Sequence, residues 1–201
     1  MIVKVISDCH FMSPDPMDIK PVFGENVIWL ADNHEFKYIR RKKKIIHEAI
    51  DEYEKFLDIA RSTNTKVLGG NHERNQGIKA THGYSVIYDG AYFTHGHREI
   101  EGPVYADKWE TGELGVGLIR LALAGPIMKA RRVIFKRKEQ KTDELDMISY
   151  AAIRNGCNIA VYGHTHPYKT LMTMHNGVLC INVAQGMTEL DLDLLRSRFL
   201  S

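Results

Sequence analysis

A chain of 201 residues, 44% hydrophobic and 26% charged, has the length of one domain and can bury a core without disulfides or a structural metal. Its formal net charge of +2 is too small to imply nucleic acid or membrane by itself. No stretch reaches the roughly 18 consecutive apolar residues of a membrane span.

Val3, Val5 and Ile6 form a short apolar run that stops at Ser7-Asp8, which predicts a buried strand followed by a polar loop. Residues 9–25 are rich in Pro, Asp and Gly and read as loop. A second strand is predicted over residues 27–30, ending at Asp32. Residues 40–62 carry Ile45, Ile46, Ala49, Ile50, Tyr53, Phe56, Leu57 and Ile59 at helical spacing, after the basic run 40–44. A third strand over 65–68 ends in Gly69-Gly70-Asn71-His72.

Residues 86–88 and 91–94 flank Asp89-Gly90, a strong hairpin signal. Residues 112–138 read as helix with a break at Gly125-Pro126. Another helix is predicted over 143–155, with Thr142 or Asp143 as N-cap. A strand over 158–162 ends in Gly163-His164, and a second hairpin is centred on Asn176-Gly177. The last dozen residues are ambiguous between strand and helix. Three cysteines, Cys9, Cys157 and Cys180, form no paired framework, and residues 1–7 are too short for a secretory leader. The expected location is a reducing cytoplasm.

One event repeats along the chain: an apolar strand stops, and just past its end stands Asp8, Asp32, Asn71, His95 or His164. In an α/β sheet the loops at the carboxyl ends of strands gather at one edge, where ligands bind. Asp8 and His10 stand at i and i+2, as do His164 and His166. On an extended segment each pair points to one side and can close on one cation, with Cys9 facing away as a buried filler. Asp32 can bridge two cations, Asn71 offers an amide oxygen and His95 an imidazole. This N/O donor set without thiolate suits Mn²⁺, Fe, Zn²⁺, Co²⁺ or Ni²⁺, and suits Ca²⁺ poorly.

The ordered series Asp8-x-His10, Asp32-x-x-Glu35, Gly70-Asn71-His72-Glu73, His95-Gly96 and Gly163-His164-x-His166 resembles the calcineurin-like metallophosphoesterases. The resemblance implies an α/β fold, an αββα sandwich of two mixed sheets flanked by helices, with a dinuclear site on one rim. By position, one metal would take Asp8, His10, Asp32 and His166, and the other Asp32, Asn71, His95 and His164. Two divalent ions, Mn²⁺ first among them, would clamp a phosphoryl group while a bridging hydroxide attacks phosphorus. His72 falls where the family places a non-ligand histidine that contacts phosphate and assists the leaving group.

The sequence departs from the family at Ala31, where a glycine usually stands; alanine is expected to fit an extended backbone there. His34 is expected to be a supporting residue or to face solvent. His97, two residues past His95, is a candidate for contact with substrate or for support of a ligand. His47, His82 and His175 read as structural or surface residues.

Residues 99–148 exceed what a connection needs and carry an apolar helix pattern followed by a basic cluster over 129–141. They predict a helical cap or insertion, or a solvated basic face. The stretch 112–141 also fits a transient membrane-surface or lipid contact. This arrangement is similar to the UDP-2,3-diacylglucosamine hydrolase subgroup, although that subgroup lacks the histidine found here as His72. The expected substrate is a phosphomonoester, phosphodiester or pyrophosphate on a phosphorylated small molecule. DNA or RNA cleavage and a non-catalytic interaction module are the competing readings.

Overall fold

Side-chain alternation along each strand dictates the layering. The computed structural model describes residues 1–10, 20–32, 43–70, 80–101 and 140–200. In β1 (Ile2–Ser7), Val3 and Val5 face one way and Ile6 the other, as the two-residue period requires. The same split separates Ile28 and Leu30 from Val27 and Trp29, at and just beyond β2 (Val27–Trp29), and Leu68 from Val67 at β3 (Lys66–Val67). β1, β2 and β3 are parallel, and β9 (Gly186–Asp191) closes the other side of β1 antiparallel, in the order β3-β2-β1-β9.

The second sheet has the order β4-β5-β6-β8-β7. Its centre is parallel, from β5 (Ala91–Thr94) through β6 (Ile159–Tyr162) to β8 (Val178–Asn182). Its edges are β4 (Ser85–Tyr88) and β7 (Leu171–His175), each the antiparallel hairpin partner of its neighbour. Both hairpins turn on two residues with positive φ, Asp89 at 46° with Gly90 at 66° and Asn176 at 50° with Gly177 at 76°. That is the turn whose twist matches the flanking strands.

The sheets pack face to face over Val3, Val5, Ile28, Leu30, Phe93, Val161 and Ile181. The helix α1 (Lys43–Ser62) buries Tyr53, Phe56, Leu57 and Ala60, spaced i, i+3, i+4 and i+7, on the outer face of the first sheet. Phe56 meets the Trp29 ring edge-on at 5.1 Å between centroids. Ile59 falls off this stripe and is exposed. The helix α3 (Gln140–Arg154) lays Ile148 and Ala152 on Tyr92, Ala160 and Cys180 on the outer face of the second sheet. The fold is therefore a four-layer αββα sandwich of two mixed sheets, as the resemblance implies.

Some boundaries differ from expectation. A short helix, α2 (His97–Glu101), follows β5 where an extended segment was expected. Thr142 and Asp143 lie within α3, which spans Gln140–Arg154 among the described residues. The terminal ambiguity resolves into both elements in sequence: β9 runs to Asp191, and α4 (Leu192–Phe199) starts immediately after it. Asp191 makes this switch, since its carboxylate accepts from Asp193 N at 3.1 Å and Leu194 N at 3.3 Å. The expected helix over 112–138 and its basic cluster lie outside the described residues, as do residues 40–42 of the first helix pattern. Among the described residues, no helix is long and apolar enough to cross a membrane.

Candidate metal centre

The parallel strands of both sheets end at one rim. Asp8 follows β1 directly and Asp32 stands three residues past Trp29 of β2. From the other sheet, His95 follows β5 directly and His164 stands two residues past Tyr162 of β6. Backbone hydrogen bonds lock these turns together: Asp8 N donates to Ala31 O at 3.2 Å, His10 N to Asp32 O at 3.1 Å, and Gly163 N to His95 O at 3.2 Å. His164 N donates to Asp8 Oδ2 at 3.1 Å, which ties the second sheet's rim to the first.

Six of the predicted side chains meet there in two groups. Asp8, His10 and His166 form one, and Asp32, His95 and His164 the other, with one donor atom from each residue lying within 4.8 Å of the others in its group. In the first group, His166 Nε2 lies 3.0 Å from Asp8 Oδ1 and 3.4 Å from His10 Nε2. In the second, His95 Nε2 lies 3.1 Å from Asp32 Oδ2 and 3.2 Å from His164 Nδ1. The groups differ in access: His166 is 42% exposed, whereas the side chains of His95 and Asp32 are 0% and 2% exposed.

The backbone that delivers these side chains is not extended. Asp8, His10, His164 and His166 have φ of 55°, 48°, 69° and 46°, all in the left-handed region. This corrects the i, i+2 argument. Asp8 and His10 do share a group, but His164 and His166 fall in different groups, so with left-handed backbone at all four residues the i, i+2 spacing does not decide which donors meet. Ala31 is corrected in the same way. Its φ of 89°, with Asp32 at 49°, is a conformation that glycine adopts more easily, so alanine holds a strained turn here and not an extended one.

Two glycines are required by close approach. A Cβ on Gly163 would fall on Ser7 Oγ and Asp8 Oδ2, and one on Gly70 would fall on Asp32 Oδ1. The carboxylates and the opposing backbone fit together only because neither position carries a side chain.

The electrostatics follow from this packing. Burial pushes the Asp8 carboxyl up, and the Asp32 charge acts in the same sense. The hydrogen bond from His166 and the neighbouring His95 outweigh them, so Asp8 stays below the usual carboxylate range. His166 is raised, chiefly by its hydrogen bond to Asp8, with burial opposing. Two supports carried no signal in the sequence strong enough to find them. Ser7 Oγ donates to Asp8 Oδ2, and the Gln185 side chain donates to Asp8 O at 2.8 Å from across the rim.

The turn that carries His95 is braced from α2. Glu99 accepts from Tyr92 Oη at 2.7 Å and from Thr94 Oγ1 at 3.0 Å, and Thr94 Oγ1 in turn accepts from Gly96 N at 3.2 Å. His97, at the start of α2, is 1% exposed, with its ring centroid 5.2 Å from that of His95 and 5.7 Å from that of Tyr84. It stands against the second group from the protein side. Cys9 is buried with Ile6 and Trp29 under α1, as a filler should be. Asn71, His72, Glu73, His34 and Glu35 lie outside the described residues. His175 is a surface pin, its Nε2 lying 2.6 Å from Asp146 Oδ1 of α3.

No protein-family model and no curated protein matches the chain. Among solved structures it is similar to Vps29 from Entamoeba histolytica at 14% identity, covering 92% of this chain and 74% of that one, with a TM-score of 0.43. It is similar to a cold-active protein-tyrosine phosphatase of a psychrophilic Shewanella at 15% identity, over 96% of this chain and 76% of that one, with a TM-score of 0.44. A conserved uncharacterized protein of Streptococcus pneumoniae, a predicted phosphoesterase, is similar at 14% identity over 94% and 83% of the two chains, with a TM-score of 0.38. Likeness at this level leaves the functional reading to the site's own geometry.

Proposed function

We propose that the chain is a metal-dependent phosphoric-ester hydrolase working with two divalent cations. The observation that carries this reading is the pairing of two donor groups, each of one carboxylate and two imidazoles, on one rim. Three N/O donors per group among the described residues leave coordination positions for Asn71, for a shared Asp32 and for solvent or substrate. The absence of cysteine from both groups suits Mn²⁺ or another first-row cation.

In this reading Asp8, His10 and His166 hold one cation and Asp32, His95 and His164 the other, with Asn71 completing the second. Asp32 lies near enough to Asp8 and His166 to act on both electrostatically, which supports a shared role. Cations bound there would neutralise charge on the phosphoryl oxygens and supply hydroxide at neutral pH. The chain's own work is to orient and to move protons. Asp8 Oδ1 and His166 Nε2 stand 3.0 Å apart and Asp32 Oδ2 and His95 Nε2 3.1 Å apart, so each pair presents its donor atoms to one point on the rim. His72, two residues past Gly70, is assigned proton delivery to the departing oxygen.

The experiment is a metal count on purified protein followed by a hydrolysis panel with Mn²⁺. The panel sets p-nitrophenyl phosphate, its bis ester, cyclic nucleotides, UDP-sugar lipids and single-stranded nucleic acid side by side. The expected result is two cations per chain and turnover of one ester class. A protein that takes up no cation at the rim would end this reading.

A further inference from the structure

The two histidines of His164-Thr165-His166 serve different groups, so the turn between them must hold a fixed shape. His164 Nδ1 lies 3.2 Å from His95 Nε2, while His166 Nε2 lies 3.0 Å from Asp8 Oδ1. Both residues have left-handed backbone, and such residues persist only where their surroundings over-determine them. Thr165 and His166 are exposed, so packing does little to restrain them.

His164 N is held by Asp8 Oδ2, and the side chain at the middle of the turn is held by a buried amide. Asn182, at the end of β8, is 7% exposed, and its Nδ2 donates to Thr165 Oγ1 at 2.6 Å. The same nitrogen donates to Glu144 Oε1 of α3 at 3.4 Å, and Glu144 also meets the Tyr162 hydroxyl at the end of β6. An asparagine amide supplies two N–H donors, which suits a position between a hydroxyl and a carboxylate; an aspartate would bring a second negative charge against Glu144.

We propose that Asn182 is a positioning residue that, by holding Thr165, sends His164 to one cation group and His166 to the other. This inference rests on the reading that both groups hold cations. Asn182 touches no donor atom itself and acts through Thr165.

Co²⁺ titration of metal-free protein tests it, read by visible absorbance and by stoichiometry. The wild type should bind two Co²⁺ per chain. Thr165→Val removes the accepting hydroxyl from an exposed residue at nearly constant shape, so folding is not at stake. It should weaken one Co²⁺ by about tenfold, the lower end of the effect of disturbing a ligand's support. The visible spectrum should shift with it, while the metal-free melting temperature stays near wild type. Thr165→Ser should restore both affinity and spectrum. Asn182→Leu should match Thr165→Val, and the double variant should lose no more than either alone. Wild-type affinity and spectrum in Thr165→Val, or fully additive losses in the double variant, would overturn the inference and leave the proposed function standing. Wild-type protein that binds no Co²⁺ would overturn both.

Discussion

At the residue scale the chemistry concentrates on a few side chains with distinct expected losses. Asp32→Asn removes a carboxylate charge and His95→Ala an imidazole from a buried group, so each should abolish turnover and lower bound metal toward one ion per chain. Equal activity in purified Asp32→Asn and wild type would refute the assignment. His72→Ala should cost about 10²–10⁴-fold in kcat, as loss of a general acid does, and less on esters with good leaving groups. A steady-state comparison of p-nitrophenyl and alkyl phosphates would measure that difference.

The Asp8–His166 pair makes a further residue-scale prediction, for the metal-free protein. Asp8 is lowered from 3.8, so its stabilising contribution is present above that value and disappears as pH falls through the folded-state value. His166 is raised from 6.5, so its contribution is complete below that value and disappears as pH rises through the folded-state value. The pair therefore stabilises the window between Asp8's lowered pKa and His166's raised one. Melting temperatures measured against pH in chelator should fall off on both sides of that window. Asp8→Asn should flatten both flanks, and an unchanged profile in that variant would refute the pairing.

At the scale of elements, the junction between β9 and α4 depends on Asp191. Its carboxylate caps the helix, and together with Asp193 it also pairs with the Met1 ammonium. Asp191→Ala should cost about 1 kcal/mol through the lost cap, with little added for the exposed ion pair. Denaturant unfolding would measure this, and activity should be unaffected because the junction is not at the rim. The second hairpin is equally local: Gly177, at φ 76°, should lose about 1–2 kcal/mol on mutation to alanine.

At the scale of the whole molecule, the rim is only as rigid as the core between the sheets, since each donor group draws on residues from both. Phe93 is fully buried there, two residues before His95. Phe93→Ala should destabilise by about 3–5 kcal/mol. Added Mn²⁺ should recover part of that, because a ligand at a hundred times its Kd contributes about 2.7 kcal/mol per site. A melting temperature indifferent to Mn²⁺ in both proteins would count against cation binding at the rim. Burial also protects the thiols: it pushes Cys180 up to about 11 and raises Cys157 as well. At pH 8 iodoacetamide should label neither in the native protein, and both once the protein is denatured.

The sequence by itself determined where strands stop and what chemistry stands at their ends, because apolar runs, Asp-Gly and Asn-Gly turns and donor residue types are local properties. Asp8, Asp32, His95 and His164 are all found where those runs predicted. Spacing did not decide how the donors are shared out: the resemblance implied a division by motif position, and the folded chain groups His166 with Asp8 and His10, and His164 with Asp32 and His95. The left-handed turns at Asp8, Ala31 and His164 stand where contacts distant in sequence hold them, His164 N on Asp8 Oδ2 from the opposite sheet and Asp8 N on Ala31 O from the neighbouring strand. The same holds for β9 beside β1 and for Gln185 on Asp8 O. The contacts of β9 and Gln185 join residues more than 170 positions apart in the chain, a separation over which pattern and spacing carry no information.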